Sequence, residues 1–204
     1  MFPSLWRAFA AWLLVLIVGA AVRAPDDRAL SKQDALRFQS KVDQIERNAA
    51  VPRRAGRPEV TQLTDVEVNA YFKYLAGSRI PIGIVDPRLS AQAGGHVAGQ
   101  AMVDLDAVRT EKARTWTDPL SYLSGRLPIS VSGTLTTRDG MGRFGLESAQ
   151  ISGVTIPKSL LQELLSHYSR TAANPAGINM DDPFALPSGI REIRIERGSA
   201  VVIQ

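Results

Sequence analysis

From Leu127 to Gly153 the chain alternates apolar and polar residues along two long runs on either side of Arg138 to Gly142. Leu127, Ile129, Val131, Gly133 and Leu135 share one parity, and Ser130, Ser132, Thr134 and Thr136 share the other. Successive strand residues point to opposite sides, so the pattern describes a strand with one buried and one wet face, as in an antiparallel sheet. Asp139-Gly140 is the expected tip of the turn. On the return run Phe144 and Leu146 keep one parity, while Ala149, Ile151 and Gly153 keep the other. A shift of one residue would turn every side chain to the wrong face, which predicts a β-bulge near Glu147 to Ala149.

The same grammar extends in both directions. Pro157 is placed to start a helix whose Leu160, Leu161, Leu164, Leu165 and Tyr168 form a broad apolar face. Full burial of its four leucines would contribute on the order of 6–12 kcal/mol before entropy, making it a principal packing element. Upstream, Val97 to Ala107 is an even alternation paired with Ile80 to Ala93, where Asp86-Pro87 demands a bend, a bulge or an edge position. Gly94-Gly95 is a two-residue hairpin signal between them. Thr64 and Glu67 form a capping box for a helix with a Val68, Phe72 and Leu75 face, and Gly77 lies just past its end. An earlier helix, Leu30 to Ala50, has Ser31 and Asp34 at its start and one apolar stripe of Ala35, Phe38, Val42, Ile45 and Ala49. Such a stripe serves either packing or a spacer. At the other end, an apolar plug from Pro183 to Pro187 precedes a hairpin turning at Arg197-Gly198, whose last strand ties down the C-terminus.

The first 22 residues carry a different message. Arg7 precedes an uncharged apolar run, Ala8 to Val22, followed by Arg23 and Asp26-Asp27. This is a signal-peptide pattern or, if uncut, a membrane anchor, and it predicts export. The expected organisation is a signal or anchor over 1–24, a helical spacer and basic linker over 25–59, and an α+β ligand-binding domain over 60–204. With 45% apolar and 22% charged residues, the composition is that of a globular protein. Arg53, Arg54 and Arg57 sit between prolines without interleaved aromatics, which argues against a nucleic-acid partner. The chain has no cysteine. His96 and His167 are isolated, Asp104 and Asp106 lack a second chemical group, and no serine lies in a nucleophile elbow. The expectation is a non-enzyme with no metal and no cofactor.

The order of a capped helix LTDVEVNAYF, two long hairpins, the helix IPKSLLQELLSHY and a final IREIRIERGSAVV resembles small bacterial envelope proteins of the TULIP (tubular lipid-binding) type over Val60 to Gln204. The resemblance implies a strongly curved antiparallel sheet wrapped on an amphipathic helix, with a lipid or other apolar small molecule in the groove between them. It places Val103, Leu105, Ile129, Val131, Leu135, Phe144, Leu160, Leu161, Leu164 and Leu165 on the groove wall. It also implies a periplasmic or inner-membrane-anchored protein. A different expectation is a structural or adaptor domain with a solid core, docking an envelope protein partner through Phe38, Val42 and Ile45 or through a hairpin edge.

Overall fold

The computed structural model describes residues 30–50, 58–107, 124–170 and 174–204, without the side chains of 164 and 168. The expected signal or anchor segment, the three arginines of the linker, and a short helix expected after Asp118 lie outside these residues. No helix among the described residues is long and apolar enough to cross a membrane.

The fold is α+β with antiparallel sheets. In chain order, α1 (Lys32–Ala50) leads to β1 (Val60–Thr64), α2 (Asp65–Tyr74), β2 (Ile84–Ala91), β3 (His96–Asp104), β4 (Arg126–Arg138) and β5 (Met141–Ile151). Then follow β6 (Val154–Thr155), α3 (Lys158–Ser169), β7 (Phe184–Ala185), β8 (Glu192–Glu196) and β9 (Ser199–Ile203). The strands form two sheets where one was expected: β2-β3-β4-β5-β6, with β7 on β5, and a smaller β1-β9-β8. The second sheet arises because β9, at the end of the chain, pairs with β1 from Val60↔Ile203 to Thr64↔Ser199. Alternation identifies a strand and its faces, and does not identify a partner so distant in sequence.

The central hairpin follows its alternation closely. Asp139 and Gly140, both at positive φ, connect β4 to β5. Val131 faces Ala149 and Ser132 faces Ser148, but Gly133 faces Leu146, leaving Glu147 as the inserted residue of a bulge. Phe144, Leu146, Ala149 and Ile151 are thereby brought to one side, as the change of parity required. Gly133 has its own steric reason: a Cβ there would lie 2.3 Å from the Phe144 ring and 2.4 Å from the Gly145 carbonyl oxygen. The proline in β2 also acts as expected, since a register shift separates Val85 from Arg88 and β2 is an edge strand. The connection from β2 to β3 is longer than a two-residue hairpin. It passes through a 3₁₀ turn, Ala93–Gly95.

Two helices differ from expectation in what they bury. On α1, Ala35, Phe38, Val42 and Ile45 are all buried, so the helix is part of the folded domain and not a spacer ahead of residue 60. Its start is a reciprocal cap, in which Asp34 N–H donates to Ser31 Oγ and Ser31 N–H to Asp34 Oδ2. On α3, Leu160 is 42% exposed, and Leu161 and Leu165 are half-buried. With the central place taken by α1, α3 lies against β5 and holds the following loop through Gln162, whose side chain bonds Ile178 O and Met180 N.

The small α2 buries more than its expected face. Ala70 and Tyr71 pack on α1, with the Tyr71 and Phe38 rings 4.9 Å apart, and Val68, Phe72 and Leu75 pack half-buried against the same cluster. Glu67 and Asn69 are buried although polar. Each has its partners: Glu67 receives both Thr64 N–H, as the capping box predicts, and the Lys41 ammonium of α1 at 2.7 Å. A buried polar group with its bonds made costs little of its desolvation.

Candidate functional site

The apolar face of β4 and β5 continues into a buried cluster of Val97, Val131, Leu135, Phe144 and Ala149, against which Ile193 and Ile195 of β8 pack. A second cluster joins α1 and α2 through Phe38, Val42 and Tyr71, and a third joins Ile45 to Ile190 and Val202. Where the three meet, the side chains leave a cavity of about 170 Å³. Phe38, Val42 and Ile45 of α1 form one wall, and Val68 of α2 stands beside them. The inner face of the small sheet gives Leu63, Ile193, Ile195, Ala200 and Val202. Leu89, Ala91, Val97 and Leu135 close it from the large sheet. The wall is almost wholly apolar. Ser90, Ser188, Asp65 and Glu46 are its polar members.

Small residues make this space. Ala200 sits opposite both Ile195 and Leu63 in the ladders of the small sheet, and Ala91 opposite Val97 in the large one. One hydroxyl bridges the two sheets beside it: Thr137 Oγ receives Ile193 N–H at 2.7 Å and donates to Ile193 O at 2.9 Å.

Asp65 reaches the wall because it is the first residue of α2, four before Asn69. Asn69 donates to Leu89 O and accepts from Leu89 N–H, and Asp65 Oδ2 accepts from Ala91 N–H at 2.9 Å. Four helix residues rise about 6 Å and two strand residues about 6.6 Å, so the pair matches the spacing of the outward N–H groups of β2. The turn between β8 and β9 completes the seal, with Gly198 N–H on Ala91 O and Asp65 N–H on Gly198 O. Burial raises the Asp65 pKa above the ordinary aspartate value, and the bond from Ala91 offsets only part of this.

Of the nine residues placed on a groove wall whose side chains are described, Leu135 is the one that lines this cavity. Val131, Leu135 and Phe144 share the cluster under β4 and β5, where they are close-packed, and Leu161 packs against it. Leu105 is buried, Val103, Ile129 and Leu165 are half-buried, and Leu160 is exposed. The side chain of Leu164 lies outside the described residues. The groove was expected under α3, whereas this cavity lies under α1. The usable signal was the Phe38, Val42 and Ile45 stripe together with alanines inside otherwise bulky strands.

The histidines and carboxylates weighed for chemistry have local partners. His96 Nδ1 is 2.9 Å from Glu147 Oε1, and Thr134 Oγ donates to the same oxygen on the outer face of the sheet. Asp104 accepts from Ala107 N–H and from Arg126, and these bonds, the backbone one foremost, lower its pKa. Asp106 Oδ2 accepts from Gly125 N–H. No family model, curated protein or solved structure was found to match this chain.

Proposed function

We propose that this is an exported envelope domain that binds an apolar small molecule or the end of a lipid chain in the cavity beneath α1. The observation that carries the reading is the cavity itself: about 170 Å³, walled by apolar side chains from both sheets and two helices. Engineered apolar voids of about 150 Å³ stay dry and take up benzene, so a space of this character is a binding site for an apolar group. Sites for drug-sized ligands run to about 300–1,000 Å³, so the occupant is a ring or a short chain segment rather than a whole acyl tail. In this reading the TULIP-type resemblance extends to the arrangement of antiparallel sheets around a helix, with α1 as the helix that shares the interior with the ligand. Residues 1–24 deliver the domain across the inner membrane or hold it there.

The test is a titration of the purified protein with toluene, followed through the methyl resonances of Val42, Ile45 and Ile193, beside native mass spectrometry and organic extraction of the protein as isolated. Saturable shifts at these methyls are expected, and Ala200→Leu, which adds volume at the wall, abolishes them without loss of thermal stability. A core without usable space behaves otherwise. It gives no shifts with toluene, and Ala200→Leu then costs about 1–3 kcal/mol from overpacking.

A further inference from the structure

The cavity has a chemical polarity as well as a shape. The two ionisable residues on its wall are both acidic, the half-buried Asp65 and the exposed Glu46, and no Lys, Arg or His among the described residues lines it. Asp65 is the unbalanced one. A carboxylate has room for about four hydrogen bonds. Asp65 Oδ2 has the Ala91 N–H, and Oδ1 has no donor among the described residues. Its neighbour one turn on, Asn69, by contrast bonds Leu89 through both its nitrogen and its oxygen. Sealing the edge of β2 therefore accounts for one oxygen of Asp65, a residue of the cavity wall, and the other accepts from no described residue. A partly desolvated carboxylate with too few donors gains most from a charged donor.

We infer that the site selects an apolar amine: a hydrophobic ring or short chain in the cavity, with its ammonium on the free oxygen of Asp65. The inference rests on the cavity being a binding site, and adds the class of ligand it takes. A carboxylate ligand of the same shape is repelled by Asp65 and Glu46, so the apolar portion of a fatty acid is a poor occupant. A neutral hydrocarbon fills the space but leaves Asp65 as it is.

Toluene, benzylamine and benzoate share one ring and differ in what they bring to Asp65, so their dissociation constants from methyl-resonance titrations near neutral pH provide the test. Benzylamine is expected to bind about tenfold tighter than toluene, the scale of one charge-assisted hydrogen bond, and benzoate more weakly than either. Asp65→Asn keeps an oxygen for Ala91 N–H and loses the charge. In that variant the preference for benzylamine over toluene is expected to disappear. Toluene binding at least as tight as benzylamine overturns this inference and leaves the cavity reading standing. A preference that survives in Asp65→Asn also overturns it. Binding of none of the three overturns both. Where Asp65→Asn does not fold, the ranking of the three probes on the unaltered protein decides the matter.

Discussion

The side-chain amide of Asn69 stands in for a neighbouring strand, giving Leu89 both the donor and the acceptor that an edge residue otherwise lacks. The two bonds, 2.8 and 2.7 Å, are made by a side chain that is buried. Edge strands with free backbone groups are sites of unwanted pairing, and here a helix blunts the edge.

Asn69→Ala leaves the N–H and C=O of Leu89 without these partners inside the protein. The expected cost is about 2–4 kcal/mol in a denaturant titration, since each unsatisfied buried group costs roughly 1–3 kcal/mol. A loss below about 0.5 kcal/mol would show that water replaces the amide there.

Glu147 tests the bulge in two ways. Its side-chain bonds to Thr134 and His96 are exposed, so Glu147→Ala is expected to cost less than about 1 kcal/mol. Deleting Glu147 removes the inserted residue, and turns Ala149 and Ile151 away from the face shared by Phe144 and Leu146. Thermal melts should therefore place the deletion far below the alanine variant. Equal melting temperatures would refute the role given to the bulge.

At Gly133 the limits are ring and backbone together. Gly133→Ala is expected to destabilise by about 1–3 kcal/mol as overpacking. Adding Phe144→Leu relieves the ring contact but not the Gly145 carbonyl, so a double-mutant cycle should show partial rescue. Full rescue would mean that the backbone moves freely at this point.

Asp65 has a raised pKa from desolvation, so the folded state holds its proton more firmly than the unfolded chain does. Its contribution favours folding at low pH and declines as pH rises from the ordinary aspartate value through the raised one. Asp34 has the opposite sign. Its pKa is lowered, first by Ser31 Oγ–H, and its contribution is present above the ordinary value and lost as pH falls through the lowered one. Against the unaltered protein, Asp65→Asn should make the slope of stability with pH more positive just above the ordinary aspartate value. Asp34→Asn should make the slope less positive just below it. Urea melts at closely spaced pH values measure both, and a slope unchanged in Asp65→Asn would show that the carboxylate is well solvated.

These features differ in how far the sequence reveals them. The bulge was legible because Phe144 and Ala149 cannot share a face without it, and the caps at Ser31 and Thr64 because they are local exchanges between a hydroxyl and a carboxylate three residues on. The two-sheet division was not, because the bridge between Thr137 and Ile193 and the pairing of Val60 with Ile203 connect distant segments that no local pattern relates. The burial of two polar residues of α2 was hidden for a related reason. Glu67 and Asn69 look like surface residues until Lys41 and Leu89 supply their partners. The leucines of α3 drew attention by number, whereas the place of α1 depended on what the last hairpin would bring to it.

That dependence sets an order of assembly. Ile45 packs with Ile190 and Val202, so this part of α1 is made early and is covered only when the final hairpin has been synthesised. Contacts that close so long a loop come late in folding. The cavity is accordingly closed late, and a chain still missing β8 and β9 has Phe38 and Val42 covered by α2 but leaves Ile45 open to any apolar molecule it meets.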